Sequence, residues 1–198
     1  MSLSKVQVIS NAIAILGHAP IVSLDDADDL VVSAEQAFDL LLPSVLSQSN
    51  WRFAVQIQQM SLRNETLPTD IPWKYVYNLP ADFIKTIRVI PQTYDWEIFE
   101  NKKIYSNVSG NFYMEYVFQP QEALIPLYFW HYFTHEIAGY LCLSNAQKPE
   151  FYNAIESKRM LLLSMAAAAD AQNRPQNSQV DFPMLSARHV SGLNSNFS

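Results

Sequence analysis

Glycine is scarce in this chain: Gly17, Gly110, Gly139 and Gly192 are the four in 198 residues. A loop that wraps a phosphate needs several glycines close together, because only backbone without Cβ atoms comes near enough to the anion. Four scattered glycines argue against nucleotide-dependent enzymes of the common kinds. Cysteine is scarcer still. A lone Cys142 excludes an internal disulfide framework, and it lies in an apolar helical run where a buried, unreactive thiol is expected. Charged residues make up 16% of the chain and leave a net charge of −6 with a pI near 5.1. No basic patch of the kind used by a free nucleic-acid binder is visible. No basic segment leads into an apolar stretch at the start, so no signal peptide is expected. Nor does any apolar run reach the roughly 18–20 residues of a membrane span. The expectation is a protein made in a cytoplasm, without a membrane. Asn64-Glu65-Thr66 and Asn107-Val108-Ser109 match the glycosylation pattern, which means little without secretion.

What is present is apolar and aromatic. Apolar residues make up 49% and aromatics 13%, enough for a core and unlike a disordered chain. Residues 4–16 read as a helix, with Ser4 as cap and Val8, Ile9, Ala12, Ile13 and Leu16 on one face. Gly17 is a natural stop. The loop "HAPIVSLDDADD" follows. Its acids Asp25, Asp26, Asp28 and Asp29 suit the start of a second helix, because anions are stabilised at a helix N-terminus. That helix is expected from about Leu30 to Gln48, with a kink or restart at Pro43.

The period changes at "NWRFAVQIQQMSL". Helical spacing gives way to alternation at Val55 and Ile57, then slips in register before Met60 and Leu62. From Trp51 to Phe118 the chain reads mainly as strands, broken at "LPADF". "FIKTIRVI" resumes a two-residue period, and "WEIFENKKIYSN" reads as a hairpin turning at Asn101-Lys102. Helical spacing returns near Pro126 in "PLYFWHYFTHEIAGYLCLSNA", and a last helix is expected from Pro149, well placed for a first turn, to about Ala171. The remainder is rich in Asn, Ser and Gln with isolated apolar residues. The expected class is α+β: a four-helix bundle-like helical domain formed by residues 1–50 and 120–172, an inserted antiparallel β-sheet lobe over 51–119, and an extended C-terminal arm over 173–198. Trp51 and Phe53 fall at the hand-over and are expected to plug the seam between the two lobes.

Three stretches taken in order resemble a known family. "NAIAILGHAPIVSLDDAD" is similar to the opening of phage tail tubular protein A, the head-to-tail adaptor of short-tailed, podovirus-type phages. "LLLPSVLSQSNWRFAVQIQQMSL" resembles that family's helix ending in Pro-Trp-x-Phe-Ala before a strand, with Asn50 in place of the proline. "WKYVYNLPADFIKTIRV" resembles its Trp-x-Tyr-x-Tyr-x-Leu-Pro-x-Asp segment. The resemblance covers residues 8–145 and does not extend past residue 172.

It implies a structural virion protein, not an enzyme, with no metal or cofactor. The subunits would form a twelve-membered ring between the portal protein and the tail nozzle protein, at the head–tail junction of a virion assembled in the host cytoplasm. Genomic DNA would pass through the ring during ejection. The C-terminal arm would bind the portal through Phe182, Met184, Leu185, Val190 and Phe197, as a segment ordering on its partner would. Asp25, Asp26, Asp28 and Asp29 are possible channel-facing acids that would keep passing DNA from sticking.

Residue type and spacing offer other chemistry. His131 and His135 share a helix face and could grip one metal. Glu136 lies outside the pair, however, unlike His-Glu-x-x-His, and no third ligand is evident. Asp95 and Glu97, with Glu100 and Glu115 nearby, could supply the two carboxylates of a tail-associated glycan hydrolase. An ordinary solvated sheet face accounts for the same pattern. No Gly-x-Ser-x-Gly elbow exists. The aromatic run 128–133 is read equally as helix core or as an exposed face covered by another subunit.

Overall fold

The computed structural model describes residues 2–25, 28–100, 102–144 and 149–173; residues 182, 184, 185, 190 and 197 of the expected portal-binding arm, and Asp26, lie outside them. Helix α1 spans Lys5–Ile15. The Ser4 hydroxyl accepts from the Gln7 N–H while the Gln7 side chain accepts from the Ser4 N–H, a reciprocal capping box. At its other end the His18 N–H reaches the Ile13 carbonyl and the Gly17 N–H the Ala14 carbonyl. This double closure needs a left-handed residue, and Gly17 supplies it at φ +86°.

Helix α2 spans Asp29–Gln48, with the Asp28 carboxylate accepting from the Leu30 N–H as its cap. Of the kink or restart expected at Pro43, the restart does not occur, and the expectation that no apolar run reaches membrane length fails on this helix. Phe38 and Leu42 before the proline, and Val45 and Leu46 after it, enter one core, and that burial offsets the missing hydrogen bond. Its length and composition also meet the requirement for a membrane span, at a mean hydropathy of 1.3. Here that apolar stripe is spent on the protein core instead. The α2 C-terminus is held by Lys85, whose ammonium donates to the Ser47 carbonyl at 2.8 Å.

A single 3-10 turn, Arg52–Ala54, leads into seven strands: β1 Val55–Gln59, β2 Leu62–Arg63, β3 Tyr75–Asn78, β4 Phe83–Ile90, β5 Trp96–Phe99, β6 Lys103–Ser106 and β7 Tyr113–Phe118. They form two antiparallel sheets, one in the order β1-β7-β4 and one in the order β2-β3-β6-β5. The register slip read between Ile57 and Met60 is where the chain leaves the first sheet for the second. The Met60 N–H still bonds the Phe112 carbonyl, and Leu62 already pairs with Tyr77.

The hairpin between β5 and β6 exists, but Phe99 pairs with Lys103, and the left-handed residue is Glu100 at φ 56°. The turn is therefore one residue longer than an Asn101-Lys102 pair would make it. Helix α3 spans Leu127–Ser144 and α4 spans Pro149–Ala171, so the α+β class holds.

The three-stranded sheet is the middle layer. Val55, Ile84, Ile87 and Val117 face the helical core. Phe83, Val89, Met114, Tyr116 and Phe118 face the other way, where they pack with Tyr77, Ile104 and Phe112 between the sheets. Ile84 and Ile87 are three apart, yet both face the helices. Strict alternation forbids that. The β4–β7 pairing shifts register between Phe83 and Lys85 and again between Thr86 and Arg88, and these irregularities turn the side chains.

Candidate functional site

The hand-over at Trp51-Arg52-Phe53-Ala54 is built from three directions. The Trp51 indole N–H points back to the Val45 carbonyl at 3.4 Å. Its ring meets Phe129 edge-on at 5.1 Å and lies near Tyr132 and Phe53. Phe53 in turn packs on Tyr128 and Phe129. Trp51 is only 3% exposed and sits inside the helical core against α3. The junction with the β part is made one step later by Val55, Ile84, Ile87 and Val117.

Asp170, in the last turn of α4, completes the joint. One carboxylate oxygen accepts from the Arg52 N–H at 2.8 Å and the other from the Tyr128 hydroxyl at 2.8 Å. Burial, and then donation to Asp170, push the Tyr128 hydroxyl far above its usual pKa. Sequence reading missed Asp170. A signal existed: an acid in the last turn opposes the helix dipole, so a lone one after an alanine run needs donors elsewhere.

Around α4 the structure leaves apolar surface bare. Met160, Leu161 and Met165 are 53%, 52% and 58% exposed, and Tyr140 and Leu143 on the neighbouring α3 are also open. The aromatic run is not part of this surface. Phe129, Trp130, Tyr132 and Phe133 are buried and stack among themselves and with Phe38, so the helix-core reading of that run is the one realised. Arg159 ties α4 to α3 by donating to Glu136 at 2.8 Å and to Glu156 at 2.7 and 2.6 Å.

The remaining candidates are placed as follows. Asp28 caps α2 and Asp29 lies in its first turn, while Asp25 bonds the Ser23 hydroxyl at 2.9 Å; these three acids thus have local partners or positions in the loop and helix start. His131 is exposed and His135 half-buried, and the His135 Nδ1 is engaged by the His131 carbonyl at 3.0 Å. Among the described residues no group of three or more His, Cys, Asp or Glu is arranged to hold a metal.

Glu97 lies on β5 of the four-stranded sheet, whereas Glu115 lies on β7 of the three-stranded one, bound to Arg88. Asp95 offers its backbone carbonyl to the Ser106 hydroxyl, and Glu100 occupies the hairpin turn. The structure does not bring these four acids together on one sheet face. Cys142 is buried, and that burial pushes its thiol pKa up. Compared with known proteins, the chain matches no protein-family model and no curated protein.

Proposed function

We propose that this chain is a structural virion protein, a ring-forming head-to-tail adaptor that joins the portal to the tail nozzle and surrounds the DNA exit channel. The observation that carries the reading is the bare apolar surface of α4 around Met160, Leu161 and Met165. Among the described residues the core is closed without this face, and a monomer seldom keeps one. The element order supports it as well. Two helices, a strand-rich insertion and two further helices carry the three stretches that resemble the tail tubular protein A family. In this reading its partners are copies of itself, twelve in a ring, together with the portal and nozzle proteins. Genomic DNA is only passing through, and Asp25, Asp26, Asp28 and Asp29 repel it. The arm beyond residue 172 docks on the portal through Phe182, Met184, Leu185, Val190 and Phe197.

The role is mechanical, so the assay is assembly. The purified protein is imaged by negative-stain electron microscopy alone and mixed with a candidate portal. Rings in either sample support the proposal, and their loss in a Leu161→Glu, Met165→Glu variant that keeps its fold assigns the contact to α4. A monomer in both samples that releases sugar from host glycans, with the release abolished by Glu97→Gln, would replace the adaptor by the hydrolase.

A further inference from the structure

A groove of about 560 Å³ runs between α1, α3 and α4. Its floor is apolar, with Ile15 and Leu162, and its rim carries Asn11, His131, His135 and Lys158. The titratable or charged groups lining it are His131 and His135 from α3 and Lys158 from α4; α1 contributes none. In a chain of net charge −6 a lining with basic groups and no carboxylate is unusual, and half of the ten described lysines and arginines are committed to a carboxylate. Lys5, Arg63, Arg88, Lys103 and Arg159 are all ion-paired, whereas Lys158 forms no ion pair among the described residues. Glu136 and Glu156, on the same two helices, are bound to Arg159 and line a separate cleft on the other flank of α4.

We infer that this groove is a binding site for a phosphate-type oxyanion, held by Lys158 together with His131 and His135 in their protonated forms. The donors come from different helices, and Asn11 adds a carboxamide. Donors arranged this way suit a tetrahedral anion with acceptor oxygens on every side.

The groove also has a built-in dependence on pH. A carbonyl only accepts, so His135 carries its proton on Nδ1 toward His131. The neutral ring therefore leaves a lone pair at Nε2, which an oxyanion avoids. Protonation turns Nε2 into a charged donor. Without a ligand, burial first, and then the charges of Lys158 and His131, hold His135 below its ordinary pKa, against the opposing bond to the His131 carbonyl. A bound anion shields those charges and raises the pKa. Binding therefore takes up protons, and affinity rises as pH falls.

The site does not rest on ring assembly and is tested separately, on the full chain at low ionic strength, where screening is weakest. Sulfate is the first probe, because its charge stays constant between pH 5.5 and 8; a hexathymidylate, which carries the phosphodiester form of the same chemistry, is the second. Affinity for sulfate is expected to rise about tenfold from pH 8 to pH 5.5, with the His135 pKa, followed by imidazole NMR, rising by about one unit on saturation. Lys158→Met, at an exposed position, and His135→Gln, which keeps a donor for the His131 carbonyl, should each weaken binding about tenfold, the loss of one charge-assisted contact. Sulfate binding without hexathymidylate binding assigns the groove to free oxyanions, and binding of both assigns it to nucleic-acid phosphate. Affinity that ignores pH, or that survives both substitutions, overturns the site.

Discussion

Asp170→Ala removes one small side chain and breaks two connections at once. The Arg52 N–H and the Tyr128 hydroxyl each lose an acceptor 2.8 Å away. A hydrogen bond to a charged group contributes about 1.5–3 kcal/mol, and a buried donor left unmade costs about 1–3 kcal/mol. With both donors fully orphaned the loss would reach about 5 kcal/mol. Water reduces it, because a cleft of about 260 Å³ lined by Ser49, Trp51, Arg52 and Ala167 opens beside the carboxylate. A water molecule entering there restores part of what each donor loses. The expected loss is therefore about 2–4 kcal/mol, read by urea unfolding with unchanged m-value.

Asp170→Asn separates the hydrogen bonds from the charge. Its carbonyl can serve the Arg52 N–H while its amide donates to the Tyr128 oxygen, so both groups stay paired and about 1–2 kcal/mol is lost. A double-mutant cycle with Tyr128→Phe isolates the second bond, with a coupling of about 1–2 kcal/mol expected. If Asp170→Ala costs less than about 0.5 kcal/mol, within the range of an ordinary surface substitution, the carboxylate does not hold α4 to the joint and the reasoning is wrong.

Trp51→Ala empties a site 3% exposed and ringed by Phe129, Tyr132 and Phe53; a loss of about 3–5 kcal/mol in denaturant unfolding is expected, and under 1 kcal/mol would place the indole at the surface. Pro43→Ala gives α2 back the hydrogen bond that proline removes and should stabilise the protein by about 1–3 kcal/mol, seen as a higher Tm; a lower Tm would show that the ring's own packing matters more. Tyr116, Tyr128 and Tyr132 are all held protonated, chiefly by burial, Tyr116 with its pKa pushed up to about 12. The unfolded chain gives up these protons from about pH 10 while the folded chain keeps them, so the tyrosines' contribution to stability is constant below pH 10 and turns against the fold above it. Tyrosinate absorbance near 295 nm should then rise together with the loss of circular dichroism, and tyrosinate forming in a still-folded protein would contradict the assignment.

The helices were legible because their signals are local. Ser4 and Gln7 cap α1, Gly17 closes it, and Pro149 begins α4 at the expected residue. The class and strand content were legible for a similar reason, since alternation at Val55 and Ile57 and the break at "LPADF" need no knowledge of what packs on them. Pairing was not. A strand period cannot say which strands share a sheet, so nothing in the sequence divided seven strands into an inner three and an outer four. The slip at Met60 marked the division without naming it. The β4 irregularities were hidden too, because ordinary alternation puts Ile84 and Ile87 on opposite faces and only the pairing with β7 shows the register shifts. The acid in the last turn of α4 was a signal at Asp170, but it could not name its partners, which lie 118 and 42 residues away. The groove chemistry was half visible. The His131–His135 pair could be read from spacing, but Lys158 reaches it only because α4 packs on α3.

Helix α4 ties these observations together. From Met160 to Ala169 it carries apolar residues around its whole circumference apart from Ser164, and a helix apolar on every side normally lies buried on every side. Here one side is covered, through Ile155 and Ala166, while Met160, Leu161 and Met165 stay open. Such a helix standing on the surface should fray, because its apolar packing is one-sided and its dipole disfavours an acid in the final turn. It is pinned twice instead, by Arg159 to Glu136 on α3 and by Asp170 to Arg52 and Tyr128. Neither pin covers Leu161 or Met165, and Arg159 touches the face only at the edge, where its guanidinium meets the Met160 sulfur at 3.5 Å. A face fixed in place but not covered presents a partner with a surface that loses little conformational freedom on contact, and less of the interaction energy is then consumed by ordering. The carboxylate at Asp170 and the bare methionines ten and five residues before it are on this account one device, so in the proposed ring loosening the pin should weaken assembly even where the isolated subunit remains folded.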